Sequence, residues 1–267
     1  MPVLSMRIHI AQAVIALVLS FSAKAQFFSH SCPDADNLQR VDGKVECLAM
    51  KLFGEPKTGT AKTLLIFLHG DTSAGGPSSY LYPLAAKYAS QSVLSVALIR
   101  PGYFDLDHNE STGNTLGRRD NITEHNVEAV ANALLALRLH YKVARLVIVG
   151  HSGGAATAAV ILGKYPGVID DAILVGCPCN MAQYRAGRSF RSLSPDQFVA
   201  GVPKQAKVIA LTGNKDDNTY PQLAAGYIAD LAARGVDGKF IEVPDANHNK
   251  GILGTEVFDQ ALLPLLH

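Results

Sequence analysis

The sequence predicts an α/β fold with a mostly parallel central sheet covered by helices on both faces. Two observations carry this: continuous apolar runs of five to eight residues, and helical patterns that alternate with them along the chain. A third sharpens it. Glycine-, Asp- and Asn-rich loops follow the runs, where ligands of such sheets bind beyond the strand ends.

The elements follow in order. "KVECLAMKLF" (44–53) alternates as a half-buried strand does, and "TLLIFL" (63–68) is apolar throughout. "SVLSVALI" (92–99), "RLVIVG" (145–150), "AILVG" (172–176) and "KVIALTG" (207–213) read the same way, with "KFIEVP" (239–244) last. Helical patterns occupy 80–91, 123–140, 153–164, 221–234 and 255–265. No repeat, low-complexity tract or interdomain linker divides the chain, so 26–267 is expected to be one domain.

The first 25 residues differ. Arg7 and His9 precede an apolar stretch from Ile10 to Phe21, and Ala23-Lys24-Ala25 forms an A-x-A cleavage signature. The run is shorter than the ~20 apolar residues of a membrane span. It reads as a secretory signal with the mature chain starting at Gln26, placing the product in a secreted or periplasmic compartment. No other stretch is long and apolar enough to span a bilayer. Four cysteines suit that compartment. A Cys32–Cys47 bridge is expected, closing an easy loop. Cys177 and Cys179 of "GCPCN" would make a small, strained ring, and are expected to stay reduced and packed.

With 24 basic and 23 acidic residues, the formal net charge is +1, and no charge block points to nucleic acid or an anionic membrane. No P-loop, G-x-G-x-x-G or H-E-x-x-H is present, and no Cys/His spacing would hold zinc; no cofactor and no metal is expected. "DLDHNESTGNTL" (105–116) opens like a calcium loop, but has Glu110 where glycine is needed and Leu116 where a bidentate Glu is needed. Asn109 and Asn121 begin glycosylation sequons.

The chemistry sits in the loops. After 145–150, "GHSGG" puts Ser152 on a strand-to-helix turn between Gly150 and Gly153-Gly154. Glycines punctuate any such turn, and about one chain in ten of this length carries G-x-S-x-G by chance. The other loops add weight: "HGD" follows 63–68, "NKDDNTYP" follows 207–213 and "DANHN" follows 239–244. Ser152, an Asp at 216 or 217, and His248 thus occur in the order Ser…Asp…His, each just past a strand.

"LIFLHG", "GHSGG", "TGNKDD" and "NHN", in this order from about Val45 to the end, resemble the α/β-hydrolase superfamily. "RPGY" and the sparse insertions look most like its small esterase, dienelactone-hydrolase and prolyl-oligopeptidase-type branch. The resemblance implies Ser152 as nucleophile, His248 as its base and Asp216 as the acid, with Asp217 its rival. It implies an oxyanion hole from the N–H groups of Gly153 and of Asp71, the residue after "HG", whose carboxylate must then point away from the oxyanion. His69 and His151 read as structural. Residues 177–203 are where a small cap is often inserted. Their Arg185, Arg188 and Arg191, interleaved with Tyr184 and Phe190, form either a solvated loop or a clamp for acidic substrates. The implied activity is hydrolysis of a small ester by way of an acyl-enzyme, with a short peptide or amide as the alternative and a non-catalytic binding protein as the second.

Overall fold

A computed structural model describes residues 32–55 and 61–267; the expected signal segment and its cleavage site lie outside them. Eight strands form one sheet: β1 (Arg40–Asp42), β2 (Cys47–Phe53), β3 (Thr63–Leu68), β4 (Val93–Leu98), β5 (Arg145–His151), β6 (Asp171–Val175), β7 (Lys207–Gly213) and β8 (Asp237–Val243). Their spatial order is β1-β2-β4-β3-β5-β6-β7-β8. The pairs from β4 to β8 are all parallel, while β1 with β2 and β2 with β4 are antiparallel.

Alternation sorts the side chains of each inner strand to two faces. Leu64, Ile66 and Leu68 face one core together with α2 (Glu124–Tyr141), α3 (Gly153–Lys164) and α5 (Pro221–Ala233). Leu65 and Phe67 face the other, under α1 (Tyr82–Tyr88) and α6 (Glu256–Leu262). Every residue of β3 and β4 is buried, which is why those runs are apolar except for Thr63 and Ser95. Each fully buried Leu or Ile there contributes about 1.5–3 kcal/mol.

The expected strands and long helices form within a few residues of their predicted bounds. Two features depart from the sequence reading. β1 forms from only three residues because β2 offers an antiparallel edge. Cys177 and Cys179 are paired rather than reduced: across the intervening Pro178 their α-carbons lie 5.1 Å apart, within disulfide range. Cys32 and Cys47 are paired at the same α-carbon distance, as expected.

The 177–203 insertion divides in two. A short helix, α4 (Met181–Arg185), faces the loop after β7, with Tyr184 OH donating to Asn218 Oδ1 at 3.3 Å. A 3₁₀ stretch, Pro195–Gly201, packs instead on α3.

Candidate active site

The loops following β3, β5, β7 and β8 converge at one end of the sheet. β5 turns into α3 through Ser152, whose φ of 53° and ψ of −120° lie outside the basins an L-residue prefers. The nucleophile-elbow reading requires such a turn. Its glycines are explained by close approach. A β-carbon on Gly154 would come within 2.2 Å of Leu68 O, and one on Gly153 within 2.5 Å of Asp71 Oδ1.

Ser152 Oγ lies 2.9 Å from His248 Nε2, and His248 Nδ1 lies 2.9 Å from Asp216 Oδ2. The three residues named from the sequence thus stand in one hydrogen-bonded row. Asp217 is exposed in the same loop, whereas Asp216 is 3% exposed. The Asp216 carboxylate also accepts from Asn218 N, Thr219 N and Thr219 Oγ1 at 3.0, 2.7 and 2.8 Å. Burial works against its charge, but the bonds from His248 and Thr219 outweigh it and hold the carboxyl below its ordinary range. Thr219 Oγ1 is also 3.0 Å from His248 Nδ1, so it braces both the Asp216 and the His248 side chains. Sequence reasoning passed over Thr219; its only signal was the D-x-x-T spacing of a side-chain-capped turn.

Asp71 and Gly153 face each other across the elbow. Among the described residues, neither backbone N–H has a protein acceptor. The Asp71 carboxylate turns onto Arg100, with Oδ1 2.8 Å from Nη1, and Tyr103 OH donates to the same oxygen at 3.2 Å. Arg100, 2% exposed, also donates to His69 O and Asn121 Oδ1. The negative charge beside the expected oxyanion position is therefore countered by a buried guanidinium. Arg118 ties the same loop from outside, donating to Thr72 O and Gly76 O at 3.1 and 2.9 Å. Neither arginine was singled out from the sequence.

His69 and His151 are both buried and both hydrogen-bonded, as structural histidines are. Burial, reinforced for His69 by the charge of Arg100, pushes their imidazoles down to about 3 and about 4.

Asp105 accepts from Asp107 N, Asn109 N, Asn109 Nδ2 and Tyr82 OH, so its oxygens close their own turn rather than facing a cation. Among the described residues no three His, Cys, Asp or Glu side chains gather as a metal site requires. Asn121 is buried between Arg100 and Tyr103, out of reach of a glycan. Arg188 and Arg191 are exposed, as in a solvated loop, whereas Arg185 is half-buried over the Tyr184 ring with its Nε buried and without a hydrogen-bond partner among the described residues. No helix among the described residues is long and apolar enough to cross a membrane.

No protein-family model and no curated protein matches the chain. Solved structures do. The acylaminoacyl peptidase of Pyrococcus horikoshii matches with a TM-score of 0.62 at 16% identity, over 82% of this chain and 40% of that one. An esterase from Thermogutta terrifontis matches with a TM-score of 0.61 at 14% identity, over 86% and 90%. Esterase PE8 matches with a TM-score of 0.57 at 18% identity, over 80% and 95%. The chain spans about two fifths of the peptidase's length and most of each esterase's. Strand order, crossovers and these neighbours together give the chain the α/β-hydrolase fold.

Proposed function

We propose that this protein is an exported serine hydrolase that cleaves carboxylic esters through an acyl-enzyme. The observation that carries the reading is the row Ser152 Oγ–His248 Nε2–Asp216 Oδ2, with both gaps at 2.9 Å, on a strained strand-to-helix turn. His248 Nε2 takes the Ser152 proton as Oγ attacks the ester carbonyl. The carbonyl oxygen, now negative, sits against the N–H groups of Asp71 and Gly153 at the N-terminus of α3. Collapse of the adduct breaks the bond to the alcohol, which leaves with the proton held on His248. Water then attacks the acyl group, giving its proton to the same nitrogen, and the acid departs as His248 returns that proton to Ser152 Oγ. Asp216 keeps the Nδ1 proton in place and stabilises the imidazolium at each stage.

The lengths of the neighbours favour an ester over a peptide. The chain covers 90% and 95% of the two esterases' lengths, but two fifths of the peptidase's. Export is inferred from Arg7, the apolar run and the A-x-A site, and both cysteine pairs are compatible with it.

A fluorophosphonate should label the protein at Ser152, and Ser152→Ala should abolish labelling. Turnover of p-nitrophenyl esters should exceed that of aminoacyl and peptidyl p-nitroanilides. Absence of labelling refutes the serine mechanism; faster anilide turnover would assign a peptidase.

A further inference from the structure

Two buried histidines, His69 and His151, lie near Ser152 without their imidazoles bonding its hydroxyl, and the atoms facing them fix where their protons lie. His151 Nε2 faces the carbonyl oxygen of His248 at 3.0 Å; a carbonyl only accepts, so that nitrogen carries a proton. Burial keeps the ring neutral, leaving a lone pair on Nδ1. Tyr80 OH, 2.7 Å away, donates to it. The Tyr80 oxygen accepts in turn from Gly70 N–H at 2.6 Å. On the far side of the same glycine, His69 Nδ1 donates to Gly70 O at 2.7 Å, and His69 Nε2 accepts from Arg100 N–H at 2.9 Å. The donors therefore run one way, from the end of β4 through His69, Gly70, Tyr80 and His151 to the loop that carries His248.

This path passes through the two groups hydrolysis needs held still. No peptide bond among the described residues is cis, so Gly70 C=O and Asp71 N–H point in opposite directions. The bond from His69 to Gly70 O consequently aims and polarises the Asp71 N–H. At the other end, the bond from His151 holds the His248 backbone, with the two imidazole centroids 5.1 Å apart. A neutral His151 also avoids repelling the imidazolium that forms on His248 during the reaction.

We propose that Tyr80 and His151 are positioning residues that couple the Asp71 N–H donor to the His248 loop through one proton-ordered chain. The proposal rests on the hydrolase reading above. Tyr80 is the joint: its hydroxyl is the one hydrogen-bonded link between Gly70 N and the His151 imidazole among the described residues, although the residue is 43% exposed. Tyr80→Phe keeps the ring and removes that link, stranding one donor and one acceptor.

The test uses the full mature protein. Nitrogen-15 NMR of the imidazoles should show His69 as the Nδ1–H tautomer and His151 as the Nε2–H tautomer. In Tyr80→Phe the His151 Nδ1 resonance should move toward that of a free lone pair. With a p-nitrophenyl ester, kcat should fall about tenfold, the scale of one lost hydrogen bond, while KM stays within about twofold. His151→Gln, which can still donate to His248 O, should retain more kcat than His151→Ala, and serves if Tyr80→Phe folds poorly. The opposite tautomer at either histidine overturns the proposal, as does an unchanged kcat or a loss confined to KM. If the wild type neither labels with fluorophosphonate nor turns over esters, the hydrolase reading fails first, and correct tautomers would then mark the chain as structural only.

Discussion

Asp71 Oδ1 and Arg100 Nη1 lie 2.8 Å apart, and only 3% of the Arg100 side chain reaches solvent. The pair puts a carboxylate at the N-terminus of α3 while removing most of its field from the place where an oxyanion would form. Removing Arg100 leaves the partly buried Asp71 carboxylate without its counterion. Arg100→Leu should therefore destabilise the protein by about 3 kcal/mol, the low end for a broken buried pair. Asp71→Asn in the Arg100→Leu background should recover part of that loss. Urea midpoints at constant m-value measure both, and strictly additive losses would show that the charges do not interact.

This pair also shows where the sequence stopped being readable. Arg100 of "RPGY" was not legible as a buried charge, because its partners are scattered: His69, Asp71 and Asn121 lie 31, 29 and 21 residues away. Burial of a charge is decided by such distant partners, and no local pattern announces it. Ser152 and His248 were legible because strand-loop periodicity and chain order constrain them together. Thr219 and Tyr80 were not, since a loop threonine and a tyrosine before a helix have ordinary local reasons to be there. β1 escaped for a related reason: a three-residue edge has too little pattern, and exists by pairing with β2.

Acid should weaken the fold in a defined window. The unfolded chain protonates its histidines near pH 6.5, whereas native His151 and His69 resist protonation down to about 4 and about 3. Between pH 6.5 and 4 the unfolded state therefore binds more protons, so stability rises with pH and is lost on acidification. Two such groups give a slope of up to about 2.7 kcal/mol per pH unit. Urea unfolding at several pH values should show it, and His69→Asn or His151→Gln should each remove about half. A flat profile through this window would mean that the native imidazoles take up protons freely.

Strain at the elbow gives a separate prediction. Ser152 holds a φ of 53° with a ψ of −120°, a conformation that alanine shares at the same cost and glycine relieves. Both Ser152→Ala and Ser152→Gly should abolish esterase turnover. Ser152→Gly should nonetheless be more stable than Ser152→Ala by about 1 kcal/mol, glycine's greater freedom in the unfolded chain offsetting part of the relief. Calorimetry decides it. Alanine proving the more stable variant would show that the turn is not strained.

The acid loop provides the narrowest test, because two aspartates differ there by one position. Asp216 is buried, bonds His248 Nδ1 at 2.9 Å, and is gripped by Asn218 and Thr219; Asp217 is exposed. If Asp216 fixes the imidazole tautomer, Asp216→Asn offers His248 an amide in its place and favours the wrong one. The expected loss in kcat is on the order of 10⁴, with the fold retained. Asp217→Asn carries out the same chemistry at a solvated position and should change kcat less than about threefold, within what an exposed charge contributes. Thr219→Val separates the roles further. It removes a hydroxyl from both Asp216 and His248, and should cost more than Asp217→Asn but far less than Asp216→Asn. Steady-state kinetics with one p-nitrophenyl ester ranks all three, and a larger loss at Asp217 than at Asp216 would remove Asp216 from the role of the acid.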